Sequence, residues 1–216
     1  MYNNDLQNMQ SVKYRLTEFF LIFIVVPVSF ALDFPVWIKA ILAITGFFYS
    51  IYVLLKVEKK SLKISKYLDW TSFFKETFIK LLVIAIITIV FVLFSDKESL
   101  FKVVVNKPLM WLVLLFVYST FSVYPQELIY RTFYFQRYES LFQNKKLFIF
   151  INAIVFALAH LFFRNSLVII LTFLGGLLFA FTYKKTESTL LVTIEHAIYG
   201  CWLFTVGMGE MLGFPS

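Results

Sequence analysis

The most constraining feature of this sequence is a succession of long apolar segments that fills most of its length. A helix that crosses a bilayer needs about 17–25 mostly apolar residues. Segments of roughly this length lie at about 16–32, 36–55, 76–94, 108–133, 147–163, 166–183 and 187–206. Backbone polar groups in lipid must be paired inside the protein, which a helix achieves within one segment and an open sheet cannot. We therefore predict an all-α, polytopic transmembrane helix bundle with about seven spanning helices.

The composition excludes a soluble globular domain. The chain of 216 residues is 60% hydrophobic and 15% charged, and 28 of its residues are Phe. Soluble domains average about 45–50% apolar and about 25% charged residues, so this much apolar surface requires lipid as its solvent. No linker or low-complexity segment divides the sequence, which predicts a single integral membrane domain over residues 1–216. Cys201 is the only cysteine, so no intramolecular disulfide is expected.

The distribution of Lys and Arg predicts the orientation, because these residues are enriched in cytoplasmic loops. With a cytoplasmic N-terminus, 15 of the 20 basic residues lie on the inner side. The five on the outer side are Lys39, Lys97, Lys102, Lys107 and Arg164. The net charge of +7 is then a topology signal, and nucleic acid is not an expected partner. We expect the first apolar segment to be retained, since residues 32–35 offer no small-residue signal-peptide cleavage site.

Candidate functional residues are the polar side chains within apolar segments, because such groups are costly in lipid and tend to face the bundle interior. The chain has two histidines, His160 and His196, and both lie in apolar segments. Glu127 lies in a third segment, and Glu195 directly precedes His196. One intramembrane histidine could be a hydrogen-bonded packing residue. Two histidines and a Glu at membrane depth favour a functional cluster.

The spacing of these residues adds detail. Glu127 and Arg131 are four residues apart and can pair on one helix face, either in a functional site or as a structural ion pair. Phe156 and His160 have the same spacing, as do His196 and Gly200. Gly200 allows close approach to His196, although small residues also serve as ordinary helix contacts in membranes. Pro125 lacks an N–H and is expected to disturb its helix locally.

Three short motifs carry a family resemblance. The ordered set Gln126-Glu127-xxx-Arg131, Phe156-xxx-His160 and His196-xxx-Gly200 resembles the signature of the CAAX protease and bacteriocin-processing family. That family has Glu-Glu-xxx-Arg, Phe-xxx-His and His-xxx-Asn on separate transmembrane helices. It includes type II CAAX prenyl endopeptidases and many bacterial membrane proteins, which favours a bacterial plasma membrane as the location. The resemblance covers about residues 108–206, and the first half of the chain matches only in being hydrophobic.

The resemblance implies an intramembrane endopeptidase that acts on a membrane-associated protein or peptide. In the family mechanism a Glu and a His activate a water that attacks a peptide carbonyl, and a second His with its Asn stabilises the oxyanion. The implied catalytic residues are Glu127, with His160 as the partner of the base and His196 as the oxyanion donor. Such a division of labour is chemically sound, since a carboxylate and an imidazole can move the protons and fixed donors stabilise the oxyanion.

The sequence departs from the family pattern at two positions. Gln126 stands where the family has its first Glu, the residue usually assigned to water activation, and Gln cannot act as a base. Gly200 stands where the family often has Asn. Glu127 or Glu195 could supply the carboxylate instead, so an active protease, a rewired protease and an inactive scaffold are all compatible with the sequence.

No cofactor is required by this interpretation. Glu127, His160 and His196 could form a three-ligand zinc site with one open position, but the His-Glu-xx-His pattern is absent from the sequence. A metal-free mechanism accounts for the same residues and is favoured over zinc.

Two other classes of function use the same polar residues. A proton-coupled transporter could use the histidines as a relay, although the sequence shows no inverted repeat. A catalytically inactive protein that binds a membrane peptide, as in immunity to a bacteriocin, would keep the pocket without cleavage.

Overall fold

The computed structural model describes residues 9–59 and 68–212. Every regular element in these residues is a helix, so the predicted all-α fold class is confirmed. Three of the basic residues that are predicted to lie on the inner side, Lys60, Lys63 and Lys66, lie outside the described residues.

Seven helical segments account for the predicted spans. The first, α1, covers residues 12–30 and consists of Val12–Phe20, Leu21–Val25 and Val26–Phe30. The others are α2 (Val36–Val57), α3 (Trp70–Ser95), α4 (Pro108–Leu141), α5 (Lys145–Phe163), α6 (Ser166–Thr186) and α7 (Thr189–Val206). A short helix, Lys102–Asn106, precedes α4.

Six of these segments, α2 to α7, are long and apolar enough to cross a membrane. The segment α1 is not among the six, because its first turns carry Lys13, Arg15 and Glu18. The prediction of about seven spanning helices is compatible with this set.

The helix α4 extends beyond its predicted end at about residue 133. It contains 34 residues and is about 50 Å long at 1.5 Å per residue, which exceeds the roughly 30 Å hydrocarbon core. The apolar pattern did not predict this extension because residues 134–138 are partly polar. Their helix is instead buried: Tyr134 and Tyr138 are inaccessible to solvent, and so is Arg137.

The structure divides into two compact units, each formed by two chain segments. Unit 1 contains Met1–Lys63 and Leu128–Lys184, and unit 2 contains Ile64–Glu127 and Lys185–Ser216. The single membrane domain over residues 1–216 stays a prediction.

Unit 1 has an aromatic core in which α1 packs on the second part of α4. Phe23 is fully buried, and its ring lies 5.4 Å from those of Tyr130 and Tyr134. Helices α5 and α6 approach closely where Gly176 faces Ala153, because a Cβ at Gly176 would lie 3.0 Å from the Ala153 Cα. This is the small-residue contact expected between helices in lipid.

A buried charge cluster ties α1, α2 and the end of α4 together in unit 1. The Arg137 guanidinium donates to Glu18 Oε2 and to Glu58 Oε1, each at 2.7 Å. The hydroxyls of Tyr49 and Tyr138 also donate to Glu18. Removing one partner from such a buried pair costs about 3–5 kcal/mol, because the other charge is left uncompensated.

In unit 2, α7 packs against α3 and against the first part of α4. Asp69 caps α3: the backbone N–H of Ser72 donates to its carboxylate at 3.0 Å, and this hydrogen bond lowers the pKa of Asp69. The Trp202 indole N–H donates to Thr88 Oγ1 at 2.9 Å and joins α7 to α3. Gly207 ends α7 in the left-handed region with φ 107°, where its backbone lies against the Ser99 carbonyl.

Candidate active site

The segment of α4 that carries the first motif is irregular. A π-helical stretch covers Tyr118–Val123, a single α-helical turn covers Tyr124–Glu127, and a second π-helical stretch covers Leu128–Phe133. Pro125 lies in the α-helical turn between them, and its missing N–H removes one backbone hydrogen bond. Stretches of π-helix often occur at functional sites because they shift the direction of the side chains that follow.

Glu127 contacts His196 in unit 2. The Glu127 Oε1 atom lies 2.7 Å from His196 Nδ1, and the two side chains are 0% and 8% exposed. A carboxylate that is removed from water needs a hydrogen-bond donor. The contact therefore selects a ring with its proton on Nδ1, which donates to the carboxylate. In a neutral imidazole this leaves Nε2 as the basic nitrogen.

Tyr118 contacts the other ring nitrogen of His196. Its hydroxyl oxygen lies 3.1 Å from His196 Nε2 and donates to it when Nδ1 carries the ring proton. The Tyr118 ring is held by Phe204, whose ring stands edge-on to it at 4.8 Å. Glu127, His196 and Tyr118 thus form one hydrogen-bonded chain. Sequence reasoning missed Tyr118, because a Tyr in an apolar segment is typical of membrane helices and gives no signal.

Gly200 lies beside the same hydroxyl. A Cβ at position 200 would collide with the Tyr118 hydroxyl and with two carbons of its ring. Gly200 is one helical turn after His196, so the space left by the missing side chain is filled by Tyr118 next to the imidazole.

Glu195 forms an ion pair with Lys80. Lys80 Nζ on α3 donates to Glu195 Oε1 at 2.7 Å, and the Tyr199 hydroxyl donates to the same oxygen at 3.0 Å. The Glu195 side chain is inaccessible to solvent, whereas that of Lys80 is 30% exposed. These contacts give Glu195 a place in the packing of α3 on α7.

Gln126 is partly exposed, and its side-chain amide donates to Ser122 Oγ at 2.8 Å. Its Oε1 atom is buried and has no hydrogen-bond partner among the described residues. Gln126 directly precedes Glu127 in an α-helical turn, where successive residues are about 100° apart around the axis.

The remaining predicted residues lie in unit 1. Arg131 is fully buried: it donates to Asn152 Oδ1 at 2.7 Å and stacks on Phe156, with its guanidinium carbon 4.6 Å from the ring centroid. The Asn152 amide in turn donates to the Tyr130 carbonyl at 2.7 Å. Asn152 was missed, although a lone Asn in an apolar segment is itself a signal. The ion pair of Arg131 with Glu127 stays a prediction.

His160 follows the α-helical part of α5 and is half-buried. Its Nδ1 lies 2.8 Å from the Phe156 carbonyl oxygen. Because a carbonyl accepts hydrogen bonds, Nδ1 carries the proton and Nε2 is the basic nitrogen of the neutral ring. Phe156 therefore contributes its backbone to His160 and its ring to Arg131.

Comparison with known families gives one match. Residues 108–202 match the family model described as type II CAAX prenyl endopeptidase Rce1-like. This segment is Rce1-like. The resemblance predicted from the three motifs is thus confirmed over residues 108–202. No match was found to a curated protein or to a solved structure.

The Rce1-like segment contains all the motif residues, from Gln126 to Gly200. This match, together with the six helices of the described residues that are long and apolar enough to cross a membrane, indicates an integral membrane protein. Among the described residues, no group of three or more His, Cys, Asp and Glu side chains could hold a metal ion. The chemistry available in the Rce1-like part of unit 2 is that of a carboxylate, an imidazole and a phenol in contact.

Proposed function

We propose that this protein is an intramembrane endopeptidase that hydrolyses a peptide bond in a membrane-associated protein or peptide. The observation that carries the proposal is the 2.7 Å contact between Glu127 and His196 inside an Rce1-like segment. A buried carboxylate and imidazole are costly in lipid, so their presence favours a catalytic role over a role in packing.

Glu127 orients His196 and supports it electrostatically. Its carboxylate accepts the Nδ1 proton and keeps the lone pair on Nε2. When Nε2 takes up a proton, the carboxylate stabilises the imidazolium that forms, as the buried acid does in other hydrolytic triads.

His196 then moves the protons of hydrolysis. Its Nε2 removes a proton from water as the water oxygen attacks the peptide carbonyl carbon and forms a tetrahedral intermediate. When the carbon–nitrogen bond breaks, the imidazolium returns that proton to the leaving amine. General acid–base catalysis of this kind contributes about 10²–10⁴-fold. This role differs from the oxyanion role that the resemblance implies, because the tautomer selected by Glu127 makes Nε2 an acceptor.

His160, in unit 1, is the second histidine that the resemblance implies in catalysis. The Nδ1 contact with the Phe156 carbonyl also leaves its Nε2 basic, which suits the role of base partner implied by the resemblance. Arg131 and Phe156 pack together in the same unit as His160 and position that part of α4. No step of the proposed mechanism requires a metal or another cofactor.

The test is hydrolysis by the purified protein in proteoliposomes. The probes are farnesylated peptides with a C-terminal CAAX sequence and unmodified hydrophobic peptides, with products identified by mass spectrometry in H₂¹⁸O. Cleavage with one ¹⁸O atom in the new carboxylate supports the proposal. Binding of a peptide without cleavage would favour the inactive binding protein, for which Gln126 in place of a Glu is the supporting observation.

A further inference from the structure

The second half of the Glu127–His196–Tyr118 chain has no counterpart in the motifs, and it carries an inference that rests on the proposed function. We infer that Tyr118 is a catalytic residue of this protein: its hydroxyl caps His196 Nε2 in the resting state and donates to the substrate carbonyl oxygen during the reaction.

The first support is the contact itself. The Tyr118 hydroxyl lies 3.1 Å from the ring nitrogen that the Glu127 contact leaves basic. A neutral imidazole nitrogen inside a membrane protein needs a donor in the absence of water. The hydroxyl supplies that donor and keeps the base in a single tautomer before substrate binds.

The second support is the space made for the hydroxyl. Any side chain at position 200 would begin with a Cβ, and that atom would overlap the Tyr118 hydroxyl. Phe204 fixes the ring from another side at 4.8 Å. Gly200 therefore does more than allow two helices to approach. It leaves the space in which the Tyr118 hydroxyl contacts the His196 imidazole.

The third support is that every proton of the reaction can be accounted for. A phenol can donate one hydrogen bond and accept another. The basic Nε2 has a single lone pair, so the Tyr118 hydroxyl releases it when substrate and water bind, and Nε2 then takes up the proton of the attacking water. The same hydroxyl then donates to the oxyanion of the tetrahedral intermediate. No proton leaves Tyr118, and each hydrogen bond reverses when the imidazolium protonates the leaving amine.

The position of the hydroxyl suits this second role. The attacking oxygen and the oxyanion are bonded to the same carbon, so a donor that touches the nitrogen of the base lies within about one hydrogen-bond length of the oxyanion. The family often has an Asn donor at position 200, where this chain has Gly200. Tyr118 would supply the missing donor. Loss of one oxyanion donor typically costs about 10²–10³-fold in kcat.

The experiment compares cleavage by the wild type, Tyr118→Phe and Gly200→Ala with the peptide panel in proteoliposomes. We expect Tyr118→Phe to lower kcat by about 10²-fold with little change in KM, since the lost interaction forms in the transition state. Gly200→Ala should give a similar loss by displacing the hydroxyl. The double variant should lose no more than Gly200→Ala alone, because both changes remove the same interaction.

Two variants serve as controls. Tyr124→Phe removes a hydroxyl from an exposed tyrosine of the same helix. Gly46→Ala adds a Cβ where no atom lies within 4 Å. Both should retain wild-type kcat.

Histidine-selective ¹⁵N labelling tests the hydrogen bond between Tyr118 and His196 separately from catalysis, and the change in kcat at constant KM tests the catalytic role. The chain has two histidines, so the His196 ring signals are assigned by their persistence in His160→Ala. In Tyr118→Phe the His196 Nε2 signal should shift downfield as its donor is lost, whereas the His160 signals should not move.

The outcomes separate this inference from the proposed function. Cleavage by the wild type together with unchanged kcat in Tyr118→Phe overturns the role of Tyr118 alone. If the His196 Nε2 signal does not respond to Tyr118→Phe, the hydrogen bond between Tyr118 and His196 is contradicted. Absence of cleavage in the wild type overturns the proposed function and the catalytic role of Tyr118 with it, even if the NMR response verifies the hydrogen bond.

Discussion

Glu127 Oε1 and His196 Nδ1 lie 2.7 Å apart, although the two residues are 69 positions apart in the sequence and belong to different helices. Neither side chain has appreciable solvent access. This buried contact determines which nitrogen of the His196 ring is basic. The assignment of His196 as the base and the expected effects of mutation follow from it.

Replacement of Gln126 by Glu should not raise activity. The mechanism here relies on Glu127, and a second carboxylate at the neighbouring position would repel the first in a medium of low dielectric. We expect unchanged or lower kcat in the proteoliposome assay. A gain of about 10²-fold or more would contradict this account, because it would place Gln126 at a water-activating position with the natural base missing.

His160→Ala should abolish measurable cleavage. The family resemblance implies that His160 is the partner of the base, and loss of acid–base assistance costs about 10²–10⁴-fold. The matched control is Phe162→Ala, which truncates an exposed side chain two residues away. Full activity of His160→Ala, with product formation verified by mass spectrometry, would contradict a catalytic role for His160.

Lys80→Ala should destabilise the protein more than Lys185→Ala. Lys80 pairs with fully buried Glu195, so its removal leaves a buried charge without its cation, at a cost of about 3 kcal/mol. Lys185 pairs with Glu76 in an exposed pair, which is worth about 0–1 kcal/mol. Thermal unfolding in detergent should therefore give a lower Tm for Lys80→Ala. Equal Tm values would contradict the buried-pair interpretation.

Glu195→Gln provides a further arm of that experiment. If Glu195 supports packing, this variant should lose stability but keep cleavage per folded molecule. Loss of all cleavage at wild-type stability would instead make Glu195 the catalytic carboxylate, as one of the sequence alternatives allows.

The transmembrane topology predicts that reporters within Lys59–Lys66 and after Ser216 lie on opposite sides of the membrane. Five candidate spans, α3 to α7, separate these two points whether or not α1 crosses the bilayer. An N-terminal reporter then tests α1: the N-terminus and Lys59–Lys66 should both be cytoplasmic if α1 spans. A C-terminal reporter on the same side as Lys59–Lys66 would contradict the bundle described here.

The sequence predicted the features of this fold that depend on hydropathy. Long apolar segments identify helices that can span the membrane, and the beginning of α4 at Pro108 was predicted. The end of α4 was not, because Arg137 is buried by partners distant in sequence, Glu18 and Glu58. Tertiary pairing of charges leaves no periodic signal in a single segment.

The candidate site could be predicted only in part for a similar reason. Ionisable residues in apolar segments are rare, so Glu127 and His196 could be selected from the sequence alone. Tyr118 could not, because its importance comes from the π-helical course of α4 and from the space at Gly200. Both are features of packing and backbone geometry, and they cannot be predicted from the residue types of the motifs.

The central claim is that the contact between Glu127 and His196 carries peptide hydrolysis. It is tested most directly by kcat of Glu127→Gln, which keeps the size of the side chain but removes its charge. We predict a fall of about 10²–10⁴-fold with little change in KM, whereas the control Glu187→Gln, at an exposed position, retains wild-type kcat. Wild-type kcat in Glu127→Gln would contradict the claim.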